Sequence, residues 1–326
     1  MVHYKKQMKL RRQRIKRTIS IEFIGLTLLL LILVSCNVLK NTDEKKYYKE
    51  IIPPGTVKLG ENLFFDQTEI RNLDWCEYMY WTQRVFGTES EEYRAVLPDT
   101  TVWLLKDYHC LNVFEYYYLR HPAYREHPVV GISQKQAEDY AKWRSDRVFE
   151  FILIRYGNIK MNPDQNKNNY FTIDKYINGN YSGYSPDSNF KYYPAYRIST
   201  IQEWRRALNY ADSLDLAFTK KHRSKYIKEC NKYWSEIQCD IVPCVNDTLK
   251  VDPTSHISRN CSTDDNPQIY NLRGNVREWT NENEICIGGG WTDRREVIFI
   301  KDTFQSKTQN AWTGCRNVCE WKKYNK

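Results

Sequence analysis

Residues 270–280 of the chain read YNLRGNVREWT. This stretch brings together the carboxylate of Glu278, the side-chain amide of Asn271 and the flexible backbone at Gly274 within eight residues. Calcium prefers oxygen ligands of these kinds, so the stretch predicts a compact calcium site. Alternatively, Glu278 and Asn271 only cap a turn, and the pattern alone leaves both interpretations open.

The first 35 residues have the layout of a secretory leader. Eight Lys and Arg residues precede an uninterrupted run of apolar or small residues from Phe23 to Val34. As a helix this run spans about 18 Å, against roughly 30 Å of bilayer hydrocarbon. It therefore fits a signal peptide better than a membrane-spanning helix. An uncleaved single-span anchor is the alternative, and both place residues 37–326 outside the cytoplasm.

The leader ends in Leu-Val-Ser-Cys at residues 33–36, which resembles the bacterial lipobox. The lipobox cysteine is diacylated and becomes the new N-terminus. We therefore predict a signal peptide over 1–35, a lipidated Cys36 with a flexible tether over 36–50, and a folded domain over 51–322. Residue 37 is not the aspartate that commonly retains lipoproteins at the inner membrane. We expect a lipid-anchored protein of the cell envelope, at the outer membrane and on its periplasmic or surface side.

Most of the net positive charge of the chain is carried by the leader. The whole chain carries 49 Lys and Arg against 40 Asp and Glu, but the leader holds eight basic residues and one acidic residue. The remaining 41 basic and 39 acidic residues give a net charge of about +2, too small to favour nucleic acid as a partner. Aromatic residues make up 14% of the chain, enough to build a sizeable core.

Nine cysteines follow Cys36, and an oxidising compartment favours disulfides among them. Because nine is odd, at least one stays free or pairs elsewhere. The chain has no pair of Cys-x2-Cys knuckles for a structural zinc ion. Local disulfides are expected in the polar segment that contains Cys230, Cys239, Cys244 and Cys261, and the spacing leaves their connectivity open.

Local patterns predict several elements. The segment 51–60 reads as a strand with a Pro-Gly turn at its start, and Ile70, Leu73, Trp75, Met79 and Trp81 suit one helix packed on a core. Capping boxes at 133–136 and 200–203 start two more helices, and short strands alternate with turns over 285–320. The segments 157–193 and 211–264 lack clear periodicity. We predict surface excursions there, the first being a candidate partner surface, with disorder as the alternative.

Several motifs resemble, in the same order, those of the formylglycine-generating enzyme (sulfatase-modifying factor) family. Residues 270–280 resemble the family hallmark Tyr-Asp-Met-x-Gly-Asn-Val-x-Glu-Trp. The resemblance covers about 51–320. It implies a single α+β domain, irregular and loop-rich, of the C-type-lectin-like superfamily. The other matching segments are 54–56, 60 and 68–70 near the start, 127–133 with 137–143 at a helix start, 196–204 (YRISTIQEW), 288–291 (GGGW) and 314–316 (GCR).

The resemblance also bears on metals. It implies a structural calcium ion held by four positions of the hallmark: the side chains of Asn271 and Glu278 and the main-chain carbonyls of Gly274 and Val276.

Catalysis by the family depends on two cysteines. In active members, the first cysteine lies two positions after the Trp of the Gly-Gly-Ser-Trp motif. The second cysteine lies five positions after the first. These cysteines bind copper and activate oxygen, which requires soft thiolate ligands. The corresponding residues here are Asp293 and Ile298. The resemblance therefore implies a fold without the family's catalytic ligands, and we predict neither catalytic residues nor a catalytic metal.

Three functions are compatible with the sequence. We favour a non-catalytic envelope lipoprotein that contacts the membrane through its lipid and binds or scaffolds other envelope proteins. Lipoproteins of this fold occur in the gliding-motility and type IX secretion machinery of Bacteroidota, which makes that machinery the favoured context. The second interpretation is an oxidase with relocated metal or cysteine chemistry, for example at Cys315 and Cys319. The third is a carbohydrate-binding module, because the superfamily also includes lectins.

Overall fold

The computed structural model describes residues 51–106, 109–186, 191–213, 269–293, 297 and 302–324. These residues all fall within one unit, Ile51–Lys326. The predicted signal peptide over 1–35, Cys36 and the tether over 36–50 lie outside the described residues, as does the cysteine-rich segment 214–264. Among the helices described, none is long and apolar enough to cross a membrane.

The first sheet joins the two ends of the domain. Its strands are β1 (Thr56–Lys58), β2 (Phe64–Asp66), β3 (Tyr192–Ile198) and β8 (Asn317–Lys323), ordered β1-β2-β8-β3 with every neighbour antiparallel. A turn at residues 54–55 precedes β1, and the positive φ of 76° at Gly55 explains the glycine there. The predicted strand is therefore confirmed, although it is shorter than the segment 51–60.

The second sheet contains the short strands expected over 285–320. It consists of β4 (Arg277–Trp279), β5 (Ile285–Ile287), β6 (Thr303–Gln305) and β7 (Thr313–Gly314) in the order β6-β5-β4-β7. Only the β4–β7 pair is parallel. A parallel bridge between Ser199 and Thr280, just after β3 and β4, brings the two sheets together.

The first helix only partly follows the predicted pattern. Trp75 and Met79 are buried on its inner face, but Leu73 is 44% exposed. Leu73 lies outside because Asn72, its neighbour, points inward and donates to the carbonyls of Tyr118 and Tyr124. The described helices are α1 (Asn72–Phe86), α2 (Glu91–Ala95), α3 (Phe114–Tyr117), α4 (Gln134–Arg155), α5 (Ile173–Ile177) and α6 (201–213), with 3-10 turns at Thr100–Trp103, His109–Leu111 and Pro122–Tyr124.

Both capping boxes are confirmed. At the start of α4, the Gln136 N–H donates to Ser133 Oγ over 3.2 Å, and the Ser133 N–H donates to Gln136 Oε1 over 2.8 Å. At the start of α6, the Glu203 N–H donates to Thr200 Oγ1 and the Thr200 N–H donates to Glu203 Oε2. Each box gives acceptors to backbone donors that the first turn of a helix leaves without partners.

Replacing Ser133 with alanine should lower the free energy of unfolding by about 1 kcal/mol, because it removes the acceptor at the start of α4. Denaturant unfolding measures the change. The matched control is Ser90→Ala, which removes the same kind of cap from α2, a five-residue helix with no buried residue. An equal loss in both variants would contradict the importance assigned to α4.

The predicted surface excursion over 157–193 is confirmed only in part among its described residues: residues 157–172 are irregular and mostly exposed or partly exposed, and the remainder is more ordered. This segment contains α5 and the first residues of β3, and it buries Phe171, Tyr176 and Tyr181. Phe171 and Tyr176 both pack against Phe149 of α4, with ring centroids 6.3 and 5.9 Å apart. The aromatic residues of this segment are spaced irregularly among Asn, Gly and Lys residues. Hydrophobic periodicity therefore did not predict that they pack in the core. In the second excursion, residues 211–213 continue α6, and the rest lies outside the described residues.

Candidate functional site

The hallmark loop 270–276 turns tightly ahead of β4. Asn271, Gly274 and Asn275 all have positive φ, at 54°, 84° and 59°. The Gly274 N–H donates to the Gly288 carbonyl over 3.0 Å. A Cβ at Gly288 would lie 2.8 Å from the Leu272 carbonyl oxygen, so glycine is required for this close approach. The loop is therefore fixed against the glycine-rich segment that follows β5.

A buried ion cluster lies directly beneath this loop. Arg316 Nε donates to Glu278 Oε1 over 2.8 Å, and Trp204 Nε1 donates to Glu278 Oε2, also over 2.8 Å. Glu69 Oε2 lies 3.5 Å from Arg316 Nη2, and the side chains of Glu69 and Arg316 are 0% exposed. Arg316 also donates to the backbone carbonyls of Asp66 and Tyr270. The motifs at 68–70, 196–204, 270–280 and 314–316 therefore converge on one cluster.

The cluster holds two carboxylates for one guanidinium. Burial raises the pKa of Glu69 to about 7; Arg316 lowers that pKa and the charge on Glu278 raises it. Burial also raises the pKa of Glu278, against the opposing effect of Arg316. Asn275 Nδ2 donates to Glu69 Oε1 over 2.8 Å and stabilises its charged form. Near neutral pH, Glu69 therefore exists in both protonation states.

Two of the four predicted calcium ligands, Asn271 and Glu278, lie in or beside this cluster. Asn271 Nδ2 is 3.5 Å from Glu69 Oε2, and the Val276 side chain packs in an apolar cluster with Trp103 and Trp291. The Glu278 carboxylate accepts hydrogen bonds from Arg316 Nε and from Trp204 Nε1, and Arg316 Nη2 lies 2.7 Å from its Oε1.

In the part of the chain that the structure describes, no group of three or more His, Cys, Asp or Glu residues could hold a metal. The predicted calcium set is of a different kind, because Glu278 is its only residue of these types and its other ligands are a side-chain amide and two main-chain carbonyls. Calcium at Asn271, Gly274, Val276 and Glu278 stays a prediction.

Adding calcium to the metal-free full chain should raise its melting temperature. At a free concentration ten times Kd, one site that binds only the folded state adds about 1.4 kcal/mol. Differential scanning calorimetry with calcium and with EDTA measures the shift. The variant Asn271→Ala should lose it, and the exposed-site control Asn168→Ala should retain it. Identical melting curves in calcium and EDTA would contradict the prediction.

Asp293, which the family resemblance aligns with the first catalytic cysteine, has a structural partner. Its Oδ2 accepts from Arg277 Nε over 2.8 Å and from the Gly290 N–H over 2.7 Å, and its Oδ1 accepts from Arg277 Nη2. The Asp293 N–H donates back to the Gly290 carbonyl. Arg277 also lies over the Phe304 ring, with its guanidinium carbon 4.3 Å from the centroid. Asp293 therefore closes the turn after the glycines, and Ile298 lies outside the described residues.

Sequence reasoning missed the Arg277–Asp293 pair. Arg277 fills the variable position of the hallmark, and Asp293 follows the Gly-Gly-Gly-Trp motif. Their opposite charges were the only feature of the sequence from which this ion pair could have been predicted. The two side chains are only 15% and 10% exposed, which makes the pair part of the interior.

The free cysteines among the described residues lie in environments that disfavour the reactive thiolate form. Cys286, Cys315 and Cys319 are buried and free, Cys76 is half-buried and free, and Cys110 is disulfide-bonded. Burial raises the pKa of Cys286 to about 11 and also raises the pKa of Cys315 and Cys319. A thiol in such a setting stays protonated at neutral pH and is a poor nucleophile or metal ligand.

Comparison with known proteins agrees with this architecture. The family model for the sulfatase-modifying factor enzyme 1-like domain matches residues 32–320. No curated protein matches the sequence significantly. The crystal structure of CarF is similar at 13% sequence identity over 79% of this chain and 86% of that chain, with a TM-score of 0.36. That overlap is too loose to indicate a shared activity. With a family match over most of its length and a mixed helix-and-sheet fold in which the family motifs converge, the chain belongs to the sulfatase-modifying factor enzyme 1-like domain family.

Proposed function

We propose that this protein is a lipid-anchored, non-catalytic member of the family that holds other envelope proteins at a membrane surface. The observation that carries the proposal is the pairing of Asp293 with Arg277 and with the Gly290 N–H. The family resemblance puts a copper-binding thiolate at this position. A carboxylate already committed to a guanidinium is neither soft nor free to activate oxygen.

An oxidase that uses relocated cysteines is less well supported. Cys315 and Cys319 are both fully buried and free. Because burial raises the pKa of both thiols, the thiolate that metal binding or redox chemistry needs would be scarce at neutral pH. The domain is therefore better suited to binding than to oxidation.

The lipid anchor would increase the effectiveness of a binding domain. A lipid on Cys36, followed by a polar tether, would confine residues 51–322 to a thin layer at the membrane. Confinement raises the effective concentration of a binding module for partners in the same layer. The outer membrane is the proposed location, and the gliding-motility or type IX secretion machinery is the proposed context on the strength of the family resemblance.

Crosslinking in cells that carry the native gene tests this proposal. The wild-type chain should incorporate radiolabelled palmitate, fractionate with the outer membrane and crosslink to a reproducible set of envelope proteins. The variant Cys36→Ser should lose the label and those partners. Retention of Cys36→Ser in the membrane would favour the single-span anchor, and a wild-type chain without envelope partners would overturn the scaffolding role.

A further inference from the structure

Exposed apolar side chains cluster around α3, on the side that faces away from the core. Twelve large apolar side chains are exposed among the described residues, and four of them fall within residues 104–117, namely Leu104, Val113, Tyr116 and Tyr117. Exposed apolar residues that are scattered singly are normal, whereas a cluster indicates a contact surface. We propose that these four residues, together with Lys106 and Arg120, form a face that lies on an anionic membrane surface. This tyrosine face deepens the proposed scaffolding role and rests on its membrane anchor.

The core fixes which side of this segment points outward. Leu111, Phe114 and Tyr118 are buried and pack in one apolar cluster with Trp103. The ring centroids of Phe114 and Trp103 lie 5.1 Å apart, and the Tyr118 hydroxyl donates to the Pro128 carbonyl over 2.6 Å. Turning the segment over would expose these rings to water, so its opposite side stays outside.

The outward side chains recur at helical spacing. Positions i, i+3, i+4 and i+7 are occupied by Val113, Tyr116, Tyr117 and Arg120. The His121 N–H donates to the Tyr117 carbonyl over 2.8 Å, which continues the helical turn beyond α3. Side chains at this spacing share one side of a helix. Tyr116 is 74% exposed and Tyr117 is 52% exposed, so both rings are available for contact on that side.

Two basic residues flank the tyrosines. Lys106 and Arg120 are exposed, and neither forms an ion pair with a residue that the structure describes. The acidic residue described between them, Glu115, is half-buried, and Asp107 lies outside the described residues. Tyrosine rings settle at the boundary between lipid headgroups and acyl chains, and long basic side chains reach the phosphates from there. Because anionic lipid attracts each such basic residue, the composition of the face matches an anionic membrane surface.

The proposed tether makes a small membrane contact sufficient. Residues 36–50 form a tether of 15 residues. As a flexible chain it would extend about 20 Å, close to the radius of gyration of about 19 Å for a folded domain of this length. Four apolar side chains cover much less than the roughly 800 Å² per partner that a stable protein interface buries. A domain already held near the bilayer needs only such a small contact to keep one orientation.

Hydroxyl-radical footprinting of the full chain in vesicles tests this inference. The chain, with its own anchor, is reconstituted in vesicles of phosphatidylcholine and in vesicles that also contain about 30% phosphatidylglycerol. Mass spectrometry measures the oxidation rate of each tyrosine. Oxidation of Tyr116 and Tyr117 should be at least about threefold slower in the anionic vesicles, because the lipid shields their rings. The control is Tyr156, which is 37% exposed at the end of α4 and should react equally in both vesicles.

Charge reversal connects the protection to this face. The double variant Lys106→Glu, Arg120→Glu should oxidise at equal rates in the two kinds of vesicle, while circular dichroism confirms its folding. The control double variant Lys160→Glu, Lys167→Glu changes two exposed lysines that follow α4 and should behave as the wild type does. A chain that does not float with the vesicles would overturn the anchor and this inference together. Flotation without slower oxidation of Tyr116 in the anionic vesicles, or slower oxidation that survives the Lys106 and Arg120 reversal, would overturn the tyrosine face alone. Protection that appears only after other envelope proteins are added would overturn it in favour of a protein partner.

Discussion

Replacing Arg316 with alanine should lower the free energy of unfolding by about 3–5 kcal/mol. The substitution would leave Glu278 and Glu69 buried without their guanidinium, and it would remove donors from the carbonyls of Asp66 and Tyr270. A buried charge without a partner is far more costly than the loss of one hydrogen bond. Denaturant unfolding at neutral pH, in EDTA, measures the change.

Arg205→Ala is the matched control for this prediction. Arg205 forms a pair of comparable geometry with Asp302, 2.8 Å apart, but its side chain is 52% exposed. Its loss should cost less than about 1 kcal/mol, because water replaces the partner. Adding Glu278→Gln to Arg316→Ala should recover part of the lost stability by removing the unpaired charge. Equal costs for Arg205→Ala and Arg316→Ala would show that the buried cluster is not the special feature proposed.

Replacing Glu69 with glutamine should raise the free energy of unfolding near pH 8 by about 3 kcal/mol. The pKa of Glu69 is raised from 4.5 to about 7 in the folded chain, chiefly by burial. Because the folded chain binds the Glu69 proton more tightly than the unfolded chain does, protonation of Glu69 stabilises the fold. This contribution to the free energy of unfolding is complete below about pH 4.5 and is lost as the pH rises through about 7. That difference in pKa corresponds to about 3 kcal/mol. Glutamine stays neutral, retains an acceptor for Asn275 and leaves Arg316 paired with Glu278 alone.

The pH dependence distinguishes this explanation from a general stabilisation. In EDTA, the stability of Glu69→Gln and of the wild type should converge below about pH 4.5 and separate progressively towards pH 8. The control Glu138→Gln removes an exposed carboxylate of α4 and should follow the wild type at every pH. A constant offset between Glu69→Gln and wild type across this range would count against the titration of Glu69.

Local sequence patterns were sufficient wherever the deciding contacts were local. The boxes at Ser133 and Thr200 depend on residues three positions apart, and both start helices as predicted. The short strands over 285–320 also form as predicted. Periodicity failed at Leu73, because a buried Asn72 hydrogen-bonds to two backbone carbonyls across the fold. A polar residue on the inner face cannot be identified from hydrophobic spacing.

The candidate site depends on contacts that are distant in sequence. Glu69 and Asn275 are separated by 206 positions, and Arg316 reaches Glu278 from 38 positions away. The family resemblance marked the segments that contain these residues but not which side chains pair. It also implies that Asp293 stands where active members have a cysteine, whereas only the structure shows that Asp293 is held by Arg277. Charge pairing of this kind requires the three-dimensional arrangement.

The proposed function depends on Asp293, which the family resemblance aligns with a catalytic cysteine, being held in a structural ion pair with Arg277. Its most direct test incubates the full chain with copper, a thiol reductant, oxygen and a sulfatase-type peptide containing a cysteine, and follows the peptide by mass spectrometry. An active family member on the same peptide is the positive control. We predict that the cysteine remains unchanged with this chain. Conversion of that cysteine to formylglycine at a rate that depends on the protein would contradict the claim.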